Sequence, residues 1–258
     1  NLLFCVVFGY ENKFSYNAYN ENKISLNNDV ELSDVNGGYT RIVKMGEGHI
    51  AEIGMPELPQ YSTYFQLDPA KTYRFELEIL DSYVIEDILI LPHQGMEKWD
   101  VSSVSIIDDD IYNSYLPFPE NPMKVSDRIQ GRGVEFVNIS VIPFAYYPKY
   151  NRLEVFTSID VHIIETGETI DNELEQPKRS YVFDMFYKEL IVNFTHSDRL
   201  EDYQASAILY IAGGSSLNNS SVQDLINWRH KQGYIVYTAS ESDVGGSSAS
   251  TSEIKNYI

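Results

Sequence analysis

Cysteine is almost missing from this 258-residue chain: there is one, Cys5. Neither an intrachain disulfide nor a cysteine-rich zinc site can therefore be built from it. Basic residues are also scarce, 19 Lys and Arg against 38 Asp and Glu, for a formal charge of −19. With no segregated basic patch, such a surface repels phosphate backbones and anionic lipids, which argues against nucleic acid as a partner. No apolar run is long enough to span a bilayer. The run Leu2 to Gly9 resembles the tail of a clipped signal-peptide core, followed by the polar stretch Tyr10 to Asn22; a buried first strand is the alternative. Phe4 stands where a small residue should precede a lipidated cysteine, which disfavours a lipoprotein anchor. The chain opens without Met and closes at Tyr257-Ile258 inside a helical pattern, so it reads as cut at both ends.

What is plentiful is aromatic, with 20 Tyr and 13% aromatics overall, a supply that favours strands. From about Asn27 to Ile164 the pattern is short alternating segments broken by Gly, Pro, Asn and Asp. Tyr73, Phe75, Leu77 and Ile79 are expected on one face, opposed by Arg74, Glu76 and Glu78. The same period places Leu153, Val155, Thr157, Ile159, Val161 and Ile163 together, with Glu154, Phe156, Ser158, Asp160 and His162 opposite. Val134 to Ile142 is nearly apolar throughout, as a strand buried on both faces would be. These segments predict an antiparallel β-sandwich.

The regime changes after Thr166. Residues 167–179 are polar and carry Pro177, and Tyr181 to Phe194 shows a helical spacing at Val182, Phe183, Phe186, Leu190 and Ile191. Ala207 to Ala212 reads as a strand. A helix follows from about Ser220 to Lys231 with Gly233 at its C-terminal stop, then a second strand at Tyr234 to Thr238. Ser250 with Glu253 three residues on is a capping box that opens a further helix. Strand, helix, strand, helix is the start of a parallel α/β domain.

Residues with chemistry are sparse. The five histidines, His49, His93, His162, His196 and His230, have no metal spacing and read as structural or surface groups. Cys5 has neither a base nor electropositive surroundings. Asp108-Asp109-Asp110 lacks the Gly and closing Glu of an EF-hand loop and reads as an acidic turn. Gly213-Gly214-Ser215-Ser216 sits where phosphate sites occur but lacks the order of a dinucleotide or P-loop fingerprint. No catalytic, metal or cofactor site is expected within this stretch.

Several segments, in order, resemble the gingipain family of cysteine peptidases. Gly54-Met55-Pro56-Glu57-Leu58-Pro59 is similar to the G-x-P-x-L-P stretch of the family pro-domain, and Pro92-His93-Gln94-Gly95 to its next section. Pro143 to Pro148, then Leu153 to Val161, resemble its "Y-x-P, turn, L-x-V-Y-T-x-I-x-V" signature. Ala207 to Ala212, Asp224 to Arg229 and Ile254 to Ile258 resemble the opening of its catalytic domain.

That resemblance implies an N-terminal flank at 1–24, a β-sandwich pro-domain with a helical connection at 25–199, and the truncated start of a caspase-like α/β catalytic domain at 200–258. It implies a pro-domain that keeps its own catalytic domain latent and assists its folding. The precursor would be exported through the periplasm, by the type IX secretion machinery, to the medium or cell surface. The nucleophilic Cys and its partner His of the family are not in this stretch, so peptidase activity belongs to the parent. Lys98, with Trp99 beside it, is the candidate for the loop residue that enters the specificity pocket. Arg199 and Leu200 flank the expected processing bond, with Lys178-Arg179 as the rival site. The alternatives are a non-catalytic adhesion or binding module of a surface protein, and the pro-region of a sortase-like member of the secretion system.

Overall fold

The computed structural model describes residues 14–17, 22–35, 37–43, 48–50, 52–95, 106–169, 178–195 and 203–258. The chain divides into two compact units, one of residues 1–176 and 186–197, the other of 177–185 and 198–258. Among the described residues no helix is long and apolar enough to cross a membrane.

The first unit is built on two antiparallel sheets. In the first sheet β1 (Phe14–Asn17), β2 (Lys23–Asn27), β12 (Arg152–Thr169) and β11 (Phe144–Tyr147) follow in that order, and β7 (Lys71–Ile85) pairs along β12. β1 lies inside the stretch expected to be a flank; Phe14 is 5% exposed and joins the core. In the second sheet the order is β5 (Gly48–His49), β6 (Pro59–Leu67), β10 (Val134–Val141) and β8 (Met123–Val125), with β9 (Ile129–Gly131) also on β10. A hairpin of β3 (Glu31–Val35) and β4 (Tyr39–Val43) stands apart from both.

Alternation makes the core. Tyr61, Phe65 and Leu67 of β6 and Val137, Ile139 and Val141 of β10 are buried together with Ile24, Leu26, Ile159, Val161 and Ile163 of the first sheet. Each such side chain contributes about 1.5–3 kcal/mol by leaving water. A second cluster gathers Ile42, Leu58, Ile90, Phe144, Tyr146, Leu153 and Val155. There the peptide of Ile90 is held on both sides: its N–H donates to Tyr146 Oη at 3.3 Å, and its carbonyl accepts from Tyr112 Oη at 2.8 Å. Burial pushes the Tyr146 hydroxyl up to about 12 and raises that of Tyr112 as well.

The burial of Phe156, expected on the face opposite the core, has its cause in the strand register. The register of β12 against β7 slips between Phe156 and Ser158 and again between Ser158 and Ile159. A bulge of this kind breaks the two-residue period. Consecutive Val155 and Phe156 are then both buried, one in each cluster, while Thr157 donates its hydroxyl to Asp81 Oδ2 at 3.0 Å. On β7, Tyr73, Phe75 and Leu77 pack on the core as expected, but Ile79 is 42% exposed.

The far face of the second sheet is partly covered. α2 (Tyr181–Leu190) and the turn after it place Tyr187 and Ile191 against Phe136, so β10 is buried on both faces at that point. Tyr187 Oη donates to Gly131 O at 2.9 Å, and a Cβ at Gly131 would lie 2.7 Å from that oxygen, which is why glycine stands there. Of the helical face expected from spacing, Leu190 and Ile191 pack on this cluster, whereas Val182, Phe183 and Phe186 are exposed. Tyr187, absent from that face, is the buried anchor.

In the second unit β13 (Ala207–Ala212) and β14 (Ile235–Ser240) pair in parallel, Ala207 opposite Ile235. α3 (Ser220–Lys231) connects them and α4 (Thr251–Tyr257) follows. Asn219 Oδ1 caps α3 by accepting from Ser221 N at 2.9 Å, and Gly233, at φ 91, turns the chain out of it. The Ser250–Glu253 capping box forms as expected. Mainly β, with an antiparallel sandwich before an α/β opening, is the fold class that the alternation predicted.

The outer face of the first sheet carries a buried acid. Asp160 is 3% exposed and takes Lys23 Nζ at 2.6 Å and Ser25 Oγ at 2.5 Å. Burial alone would raise its carboxyl, but the hydrogen bonds from Lys23 and Ser25, with the charges of Lys23 and His162, outweigh it and hold the pKa below the usual range. A depressed carboxyl pKa stabilises the fold at pH values above the unfolded value, and the contribution disappears as pH falls through the folded one. Asp160→Asn is therefore expected to lower stability at pH 7 by about 1.5–3 kcal/mol. In urea titrations the gap between variant and parent should close below about pH 4.

Candidate functional site

The residues singled out from sequence, Lys98, Trp99, Arg199 and Leu200, lie outside the described residues, as do Cys5 and His196. Their described flanks can be built from the residues upward.

On either side of residues 96–105 the chain is closed by one side chain. Gln94 Nε2 donates to Ile106 O at 2.7 Å and to Pro92 O at 3.0 Å, while Gln94 Oε1 accepts from Ile106 N at 3.1 Å. The amide thus pairs with both polar groups of the Ile106 backbone, as a neighbouring strand would. Behind it, Gly54 N donates to His93 O at 2.8 Å, His93 N to Met55 O at 2.8 Å, and Asp108 N to Gly54 O at 3.0 Å. Gly54 has φ 88, and a Cβ there would lie 3.0 Å from Asp108 N and 3.3 Å from Ile107 C. The backbone conformation and the close approach both require glycine. Gly54 thus bonds to both flanks, to His93 on one side and Asp108 on the other, while Leu58 is fully buried and Pro59 opens β6. Asp108, the first of the three consecutive aspartates, caps α1 (Asp109–Tyr112) by accepting from Asp110 N and Ile111 N at 3.1 Å each.

Two of the histidines pair with carboxylates. His93, 9% exposed, has Nδ1 3.6 Å from Glu57 Oε2, and Arg41 Nε is 2.9 Å from Glu57 Oε1. His162 Nε2 is 2.8 Å from Glu78 Oε2. With Asp160 these two form the one trio, among the described residues, whose ligating atoms lie within 4.8 Å of each other. Such a set could share an ion, but the Asp160 oxygens face the Lys23 ammonium and the Ser25 hydroxyl, and the ammonium would oppose a dication. Its chemistry is that of an ion-pair network across β2, β12 and β7. In the turn after β13, Glu241 Oε2 accepts from Gly214 N at 2.8 Å, so a carboxylate stands where a phosphate would.

At the other end, Arg179 is pinned. Its Nε and Nη2 donate to Asp184 Oδ2 at 3.0 and 2.6 Å, its guanidinium lies 5.3 Å over the ring of Tyr203, and its carbonyl accepts from Gln204 N at 2.7 Å. The side chains of Arg179 and Asp184 are 20% and 13% exposed. Sequence spacing carried no signal for this arrangement or for the Gln94 clasp, because both join groups that lie at no fixed interval along the chain.

The described residues thus form an antiparallel sandwich followed by the opening of a separate α/β unit. The family model of the C25 propeptide (Propeptide_C25) matches residues 25–199, and the chain belongs to that family. It is 26% identical over 214 residues to Gingipain R2 of Porphyromonas gingivalis (strain ATCC 33277), a match covering 80% of this chain and 28% of the relative. To Gingipain R1 of Porphyromonas gingivalis it is 25% identical over 203 residues, covering 76% of this chain and 20% of the relative. Among solved structures it is similar to the complex of Porphyromonas gingivalis RgpB pro- and mature domains, with a TM-score of 0.56 and 21% identity over 70% of this chain and 97% of that one. The last likeness is one of fold. The chain spans 28% of the length of the first of these relatives and less of the second.

Two substitutions separate strain from clasp. Gly54→Ala should cost about 1–3 kcal/mol, read from urea unfolding, because alanine neither adopts φ 88 freely nor fits beside Asp108. Gln94→Ala should cost about 1 kcal/mol globally. It should also speed hydrogen exchange of the Ile106 amide selectively, since that N–H loses its acceptor.

Proposed function

We propose that this chain is the pro-domain region of a gingipain-like cysteine endopeptidase precursor, that it holds the catalytic domain of the same precursor latent, and that it assists its folding. The match of the C25 propeptide model over residues 25–199 carries this reading. The name of the solved relative, a complex of pro- and mature domains, supports the choice of partner. The uncovered second unit also supports it. Parallel strands are normally buried on both faces, yet Ile211, Ile235 and Tyr237 are 37%, 44% and 57% exposed. Residues 200–258 therefore read as the opening of a larger caspase-like α/β domain that carries the catalytic Cys and His.

Lys98, with Trp99, is the proposed segment that occupies the specificity pocket of the peptidase. The Gln94 clasp and the Gly54 backbone bonds would hold its ends at a fixed spacing, which lowers the entropy lost on docking. Processing is proposed at Arg199-Leu200. A peptidase draws the backbone at its cleavage site into an extended form and takes the arginine side chain into a pocket. Arg179 would have to leave Asp184, Tyr203 and Gln204 to comply. The precursor is proposed to reach the medium or cell surface through the periplasm by the type IX route.

Adding the 258-residue chain to the mature parent enzyme should abolish its peptidase activity at micromolar concentration or below. Undiminished activity would refute the reading, and equal inhibition constants for wild type and Lys98→Ala would remove Lys98 from it. N-terminal sequencing of the mature protein recovered from medium or cell surface should begin at Leu200. A start at Ser180 would refute the proposed site.

A further inference from the structure

Residues 178–185 lie within the propeptide match, 25–199, yet by their contacts they belong to the second unit, with the residues from 203 onward. We infer that this segment is a latch through which the propeptide stays held to that unit after the chain is cut near residue 199. The inference rests on processing in that region but not on which bond is cut.

The latch has three contacts that cross the interval 186–202. Gln204 N donates to Arg179 O at 2.7 Å, the Arg179 guanidinium lies 5.3 Å over Tyr203, and the rings of Tyr181 and Tyr203 meet edge to face, 5.8 Å apart at 90°. None depends on a peptide bond between 186 and 202, so severing one leaves all three in place. Asp184 acts from the propeptide side. By taking both Nε and Nη2 of Arg179 on one oxygen it fixes the guanidinium plane that Tyr203 stacks against. A flat, delocalised cation suits both partners at once, which a lysine ammonium cannot do. Because the latch and the docked sandwich are joined by one chain, each raises the effective concentration of the other. The first cut then converts a covalent tether into a bivalent one, and latency outlasts it until the latch opens.

The test places a recognition sequence for a site-specific protease at 196–202 of the full precursor, so that cutting does not depend on Arg199. Cut precursor should remain one species on gel filtration. Tyr203→Ala should raise the dissociation rate of the propeptide about tenfold, equivalent to about 1.4 kcal/mol. Tyr203→Phe, which keeps the ring, should restore the slow rate. Arg179→Lys should dissociate as fast as Tyr203→Ala, with an unchanged circular dichroism spectrum. Immediate separation of the unmodified cut protein, or equal rates for parent and Tyr203→Ala, would overturn the latch. Failure to find natural cleavage at Arg199 would instead sink the proposed processing site and leave this result standing.

Discussion

The first unit depends on one strand. β12 pairs with β2 and β11 in succession and with β7 along its length, so its register sets the register of the whole first sheet. Because side chains alternate with a period of two, a slip of one residue would turn Ile159, Val161 and Ile163 out of the core. The bulge at Phe156 to Ile159 makes one such change within the strand. It allows Leu153 and Val155 to serve one hydrophobic cluster, and Phe156 and the residues after Ser158 to serve the other. Two cores are thereby joined by a single continuous backbone.

The polar groups of this unit reinforce that arrangement. Lys23, Ser25 and Asp160 bind β2 to β12, and His162 with Glu78 binds β12 to β7. Arg128 joins the two sheets, donating Nη1 to Glu135 Oε2 at 2.6 Å and Nη2 to the carbonyl of Lys71. Glu135 is 2% exposed, and Gln130 Nε2 also reaches it, at 3.1 Å. Buried charges are tolerated when so surrounded, and removal of one partner leaves the other uncompensated.

Side-chain contacts also close the ends of loops. Gln94 closes the ends of residues 96–105 with one amide, and Gly54, at φ 88, leaves room for Asp108 behind it. α2 serves two packing environments, contributing Tyr187 to the second sheet and Asp184 to Arg179. Val182 and Phe186 on the same helix are apolar and exposed.

How much was legible follows from which interactions are periodic. Alternation in β7 and β12, the nearly apolar run from Val134 to Ile142, the capping box at Ser250 and the glycine stop at Gly233 are local patterns, and the chain alone specified a sandwich followed by an α/β opening. The ordered motifs from Gly54 to Val161 also pointed to the family. The bulge that buries Phe156, the choice of Tyr187 over Val182 and Phe183 as the anchor of α2, and the burial of Asp160 beside Lys23 were decided only by tertiary structure. Each depends on a partner more than 50 residues away or on another sheet, and a sequence pattern reports the period of one element, not the neighbour that element meets. The same holds for Arg179. Its basic, polar surroundings read as an exposed site, and only the fold set Tyr203 beneath its guanidinium and Asp184 beside it, because stacking and pairing need positions in space that no spacing along the chain records.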